Sequence, residues 1–282
     1  MNLTNKYGIP EAIYKTILED IYDPNPKRIG ATTLCGPTMI RKLKLEHWDE
    51  LVEDAADRMW ALLGTAVHYV FQKQTDNAFT EQRLEYDHES GLKIVRYTDR
   101  FKGGKIEDFK VTSVWSCMRG IKPEWINELN VDAWMWREHG FEVRELWINA
   151  VLRDWSKGKI YEDNYPRIPF QKIRIPLWDK DVQMDYIDCR IQAHLNPQPC
   201  TPEEMWEKPT TYAVKKVGRK SAMRVLPTRD DAERWMLELK EADQKKCSIE
   251  KRTGERIRCK DYCLVSEFCP HNIYREAKNA VA

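Results

Sequence analysis

Lys102-Gly103-Gly104-Lys105 separates two runs of β-forming residues, one ending at Phe101 and the other running from Ile106 to Val111. A Gly-Gly pair accepts positive φ at both central positions, as the tightest β-hairpin loops require. Taken as such a loop, it sets the register: 102 pairs with 105, and Asp99 faces Asp108. Cross-strand Cβ atoms stand only ~4.5–5.5 Å apart, and like charges placed there destabilise a sheet. A divalent cation between them removes the conflict. Lys110, two residues beyond Asp108, projects from the same face. The hairpin thus gathers two carboxylates and an ammonium on one surface, the parts of a metal-dependent phosphodiester-cleaving site.

The 282 residues, 42% hydrophobic and 32% charged, suffice for one large domain with an appendage or for two modest ones. No apolar run approaches the ~20 residues of a membrane span, and Met1 to Lys6 lacks the apolar core of a signal peptide. The cytoplasm is the expected compartment. A net charge of +1 does not announce a nucleic-acid binder, so a DNA groove has to come from local segregation of charge. Eight cysteines in a chain of this size and compartment read as metal or cluster ligands where they group locally.

Residues 1–45 form a lead-in broken by Pro10, Pro24 and Pro26, with a short helix over 11–18. Residues 46–73 carry apolar side chains at helical spacing, with Gly64 as the expected joint between two helices. Two or three strands follow over 82–111, then a helix over 123–140 ended by glycine, then a strand over 141–152. Helix, antiparallel strands, helix, strand is an α/β order in which helices flank a mixed sheet. The core is placed at 46–155. Residues 156–282 form an extension packed on it as one unit, with a helix over 179–194, a basic hairpin over 212–226 and a helix over 229–240.

Asp/Glu-x-Lys triplets recur by chance in so charged a chain, as in Glu238-Leu239-Lys240. Asp108-Phe109-Lys110 differs in its strand context, where i and i+2 converge on one face. Read in order, Gly64-Thr65-Ala66-Val67-His68 on a helix, Asp99 on a strand, Asp108-Phe109-Lys110 and then the helix with Glu128 and Asp132 resemble the RecB-type branch of the PD-(D/E)xK nuclease superfamily. In particular they are similar to its phage-encoded exonucleases, relatives of CRISPR-associated and AddB nucleases that carry an iron–sulfur cluster.

The resemblance implies a restriction-endonuclease-like core with a C-terminal cluster-bearing extension. It implies that His68, Asp99 and Asp108, with the Phe109 carbonyl, hold one or two Mg²⁺ or Mn²⁺ ions. Lys110 would orient or activate the attacking water and offset charge in the transition state. The imidazole favours manganese as a competent metal. The chain departs from the family where Gln and Tyr are usual: Glu128 and Asp132 stand there, and Glu128 is the expected support of the site.

Cys259, Cys263 and Cys269 fall within eleven residues, at spacings that suit a cluster loop better than the paired Cys-x-x-Cys of zinc ribbons. Proximity nominates Cys247 as fourth ligand. The resemblance nominates Cys200, in Cys200-Thr201-Pro202-Glu203-Glu204-Met205-Trp206. A [4Fe–4S] cluster is the favoured occupant and Zn²⁺ the alternative. Cys35, Cys117 and Cys189 are expected to be buried thiols. The hairpin cations Lys215, Lys216, Arg219, Lys220 and Arg224 are either a solvated edge or a wall for the DNA backbone. Trp115 or Trp125 is a candidate for stacking on an unpaired base.

The function expected is a metal-dependent DNA exonuclease of phage recombination, replication or end processing. A non-catalytic DNA-binding scaffold and a structure-specific endonuclease stand beside it. DNA is the expected partner, with a homo-oligomer and recombination or replication proteins as further candidates and no membrane.

Overall fold

The computed structural model describes residues 1–21, 24–73 and 76–275. The chain divides into two units, Met1–Gln198 and Pro199–Ala282.

The first unit contains strands β1 (Asn2–Thr4), β2 (Arg28–Gly30), β3 (Val52–Asp54), β4 (Phe79–Asp87), β5 (Lys93–Lys102), β6 (Lys105–Thr112), β7 (Glu145–Leu152) and β8 (Phe170–Ile175). Its helices are α1 (Glu11–Glu19), α2 (Ala31–Cys35), α3 (Thr38–Glu46), α4 (Met59–Phe71), α5 (Val114–Met118), α6 (Pro123–Glu138) and α7 (Lys180–Leu195). A six-stranded mixed sheet runs β2-β5-β6-β7-β8, with β4 also paired to β5. The sheet therefore takes β2 from the expected lead-in and β8 from the expected extension. A strand needs a hydrogen-bonded neighbour, and these two find theirs on the core sheet.

The Gly103-Gly104 loop closes as the sequence predicts. Both glycines have positive φ, +54° and +78°, and Lys102 pairs with Lys105. One side of β5 is covered by β4 from Lys93 to Phe101. The other side is shared: β2 pairs with Lys93 to Val95 and β6 with Arg100 to Lys102. Beyond the Arg100–Glu107 pair the two hairpin strands splay, and β6 continues alongside β7 as a parallel neighbour. Asp99 and Asp108 are therefore not a ladder pair, contrary to the register argument extended past Arg100. The wedge between them is where the polar side chains gather.

Helix α6 lays Leu129, Met135 and Trp136 into the core, with Ile94, Ile106, Leu146 and Ile148 of the sheet also buried. At the closed end of the hairpin, Phe101 stacks on Trp136 with centroids 4.0 Å apart, and Phe141 meets Trp136 edge-on at 5.0 Å. Such ring pairs contribute ~0.5–1.5 kcal/mol beyond burial, which fixes β5 against α6.

Three expectations are corrected. Helix α4 runs through Gly64 without a joint; the long helix instead breaks earlier, where β3 pairs with β1 and Asp54 caps the next turn by accepting from Ala56 N at 3.0 Å. Asp54 also accepts from Thr4 Oγ1 at 2.7 Å and Lys6 N at 2.9 Å, so the N-terminal strand claims residues that helical periodicity assigned to a helix. Trp125 is buried in the core and offers no stacking face, whereas Trp115 is half exposed. Cys189 is exposed on α7, not a buried thiol.

The second unit contains β9 (Glu207–Lys208), β10 (Thr211–Lys216), β11 (Arg224–Leu226), β12 (Cys247–Arg252) and β13 (Glu255–Arg256), with helices α8 (Arg229–Leu237) and α9 (Glu241–Gln244). The basic hairpin forms, Val214 opposite Arg224, but β10 is the middle strand between β11 and β12 and not an edge. Strands β9 and β13 pair so closely that a Cβ on Gly254 would overlap the Lys208 carbonyl oxygen. Among the described residues no helix is long and apolar enough to cross a membrane.

Candidate active site

The backbone of Phe109 lies at the centre of the site. Its N–H, freed where β6 parts from β5, donates to Asp99 Oδ2 at 2.6 Å. Its carbonyl oxygen is 2.9 Å from His68 Nε2, and the Phe71 and Phe109 rings, 4.7 Å apart, seat α4 on β6. Since a carbonyl can only accept, Nε2 carries the ring proton, a tautomer assigned from this partner. His68 Nδ1 is then left 3.5 Å from Asp99 Oδ1 and 3.6 Å from Glu81 Oε1. A lone pair facing two carboxylates is stable only with a positive species among them, either a proton on Nδ1 or a metal ion.

Glu81 was not among the residues the sequence nominated. It sits in β4 between the ladder pairs Thr80–Arg100 and Gln82–Thr98, opposite Asp99, with φ of +49°. His68, Glu81 and Asp99 each place a ligand atom within 4.8 Å of the others. The sequence signal was the hairpin arithmetic applied to the other side of β5, which sets residue 81 opposite residue 99.

Asp108 is held from the α6 side. Arg96 donates to Asp108 Oδ1 and to Asp132 Oδ2, both at 3.0 Å, and Thr98 Oγ1 donates to Asp132 Oδ1 at 2.6 Å while accepting from Trp136 Nε1 at 2.9 Å. Lys110 Nζ lies 3.1 Å from Asp108 Oδ1, 2.9 Å from Oδ2 and 3.5 Å from Glu128 Oε2. Despite that ion pair, the buried Oδ2 has no well-directed hydrogen bond. Glu128 and Asp132 share a face of α6 because they are four residues apart. The structure gives them different neighbours: Glu128 faces Lys110, and Asp132 anchors the buried Arg96.

The charges set one another. Burial, aided by the Asp108 charge, pushes the Asp99 carboxyl up to about 7. Burial also presses on Asp108, but Lys110 and Arg96 outweigh it and hold that carboxyl low. Burial works against the Lys110 ammonium too, and Asp108 and Glu128 more than offset it, so its pKa is raised. The Glu81 hydrogen bond raises His68 against a burial effect that lowers it. The donor set of one imidazole, carboxylates and a nearby peptide carbonyl suits Mn²⁺ or Mg²⁺.

In the second unit, the strand pairing and the bond from Arg258 N to Met205 O (3.1 Å) bring the segment around Cys200 to the turn Arg258–Tyr262. Burial drives the Cys200 thiol up to about 12, with Glu204 and then Cys269, Cys263 and Cys259 adding to it. Cys247 lies elsewhere, on β12, its Sγ 3.7 Å from Met223 Sδ. Of the hairpin cations, Lys215 pairs with Glu250 and Lys216 with Asp243. Arg219, Lys220 and Arg224 are exposed, Arg224 lying 5.7 Å from the Trp235 ring centre.

No family model and no curated protein matches the chain. Among solved structures it is similar to SSO0001 at 19% identity and a TM-score of 0.45, over 67% of this chain and 88% of that one. The alkaline exonuclease LHK-Exo of Laribacter hongkongensis aligns at 12% identity and a TM-score of 0.38, over 66% and 91%. A phage-related exonuclease of Haemophilus somnus 129PT aligns at 13% identity and 0.29, over 66% and 78%. At such identities and scores, the side chains have to carry the functional reading.

Proposed function

We propose that the chain is a divalent-metal-dependent deoxyribonuclease acting as an exonuclease. The observation that carries this is the Phe109 backbone: Asp99 accepts from its N–H, His68 donates to its carbonyl, and Asp108 and Lys110 flank it. His68, Asp99 and Asp108, with the Phe109 carbonyl, are the groups that would hold Mg²⁺ or Mn²⁺. A bound ion supplies Lewis acidity at the phosphate. Lys110 is kept as an ammonium by Asp108 and Glu128, so it does not act as a base at neutral pH. Its role is to orient the attacking water by hydrogen bonding and to offset negative charge growing on the phosphoryl oxygens. Glu128 positions Lys110. Arg96, tied to Asp132, keeps Asp108 ionised and fixes its rotamer.

DNA as the substrate rests on the ordered motif set and its resemblance to phage exonucleases. Cys200, Cys259, Cys263 and Cys269 are proposed to hold a [4Fe–4S] cluster, supported by the β9–β13 pairing and the Arg258 N to Met205 O bond that bring their two segments together. The deciding assay uses end-labelled linear and covalently closed circular DNA with Mg²⁺ or Mn²⁺. Linear DNA is expected to shorten from its ends while the circle survives. Cleavage of the circle selects an endonuclease, and binding without cleavage selects a scaffold.

A further inference from the structure

We infer that Glu81 is itself a metal-binding residue of this centre, a ligand built into the sheet by a backbone distortion. The inference rests on the metal-dependent reading above. Glutamate rarely adopts φ near +49°, and it does so here in mid-strand, between two intact ladder pairs. A non-glycine residue keeps such a conformation only where its surroundings hold it there. At φ of this kind the side chain leaves its regular cross-strand position, and the Glu81 carboxylate is found 3.6 Å from His68 Nδ1. There it meets Asp99, whose other oxygen is engaged by the Phe109 N–H.

Two observations point to a cation. The only ring nitrogen of His68 not facing the Phe109 carbonyl is aimed at two carboxylates. Asp108 is already matched by Arg96 and Lys110, whereas no Lys or Arg is paired with Asp99 or Glu81 among the ion pairs of the described residues. The positive charge missing from the site is missing on the Glu81 side. One imidazole and two carboxylates with converging ligand atoms are a mixed N/O set of the kind manganese accepts.

Mn²⁺ titration followed by electron paramagnetic resonance tests this on the full chain, comparing wild type with Glu81→Gln, Glu81→Gly and Asp99→Asn. Gln keeps the size and a neutral acceptor for His68, so a residue that merely orients the ring survives the change. A ligand does not: Glu81→Gln is expected to weaken Mn²⁺ binding by ~10-fold or more and to alter the bound-ion spectrum. Glu81→Gly relieves the φ strain, so the metal-free protein should melt no lower than wild type yet show the same loss, which separates ligation from folding. Binding sensitive to Asp99→Asn but unchanged, within that ~10-fold margin, by Glu81→Gln overturns the role of Glu81 alone. Binding indifferent to Asp99→Asn as well overturns the metal centre itself.

Discussion

Lys110 is the residue whose loss separates catalysis from architecture. Its ammonium faces two carboxylates, Asp108 at 2.9 Å and Glu128 at 3.5 Å. Lys110→Ala is expected to cost on the order of 10²–10³ in the rate of DNA hydrolysis, with the circular dichroism spectrum retained and the melting temperature lowered, because buried Asp108 loses one of its two cations and keeps Arg96. An active Lys110→Ala enzyme would remove the proposed mechanism. The carboxyl and the imidazole beside it make a second, pH-dependent prediction. Asp99 titrates near 3.8 when unfolded and about 7 in the folded protein, so the native state binds a proton that the unfolded chain releases. Stability therefore falls as pH rises through that window. His68, raised above 6.5, adds the same sign: its contribution is complete below 6.5 and fades as pH passes its folded value. Metal-free protein should lose about 2–3 kcal/mol between pH 5 and pH 8 in urea titrations. Asp99→Asn should remove most of that slope. Mn²⁺ should oppose it, because its ligands bind in their deprotonated forms.

At the scale of elements, the hairpin tip and the wedge behind it answer to different rules. Gly104 has φ of +78°, and a Cβ there would stand 2.9 Å from Arg144 Nε and 3.2 Å from the Glu142 carbonyl. Gly103 also has positive φ but opens onto free space. Gly104→Ala should cost ~1–2 kcal/mol or more, while Gly103→Asn, a residue that type I′ turns accept, should stay within ~0.5 kcal/mol; paired urea titrations decide. This turn was legible in the sequence because Gly-Gly chemistry is local. So were the helix of Glu128 and the strand after it, each ended by a turn signal. The splay between β5 and β6 was not, because it depends on α6 supplying Asp132 and on the sheet admitting Arg96. Glu81 escaped because its place opposite Asp99 is set by the β4–β5 register and not by the Gly-Gly turn. Nothing in its own segment marks a left-handed residue, and its partner Asp99 belongs to another strand. Arg96 is where this hidden network is exposed to test. Arg96→Leu leaves two buried carboxylates without their shared cation and should destabilise the fold by about 3–5 kcal/mol, whereas Arg219→Leu on the exposed loop should change stability little.

For the molecule as a whole, the division after Gln198 predicts that the two chemistries can be uncoupled. The proposed catalytic residues all belong to the first unit and the four cysteines to the second. A cluster joining Cys200 to Cys259, Cys263 and Cys269 closes a loop of about sixty residues, and closure of that length limits the freedom of the unfolded chain between those points. Protein purified without oxygen should be brown with about four irons per chain. A colourless protein holding one zinc replaces the cluster with the alternative metal. Cys200→Ser should lower the iron content and Cys247→Ser should not, since Cys247 lies against Met223 on β12. Hydrogen exchange then reads the structural role directly. Removing the iron should speed exchange at residues 200–208 and 255–269, where β9 meets β13, and leave the amides of β5, β6 and β7 as they were. Faster exchange in those core strands as well would mean that the cluster supports the first unit too. Unchanged exchange near the cysteines would mean that it supports neither.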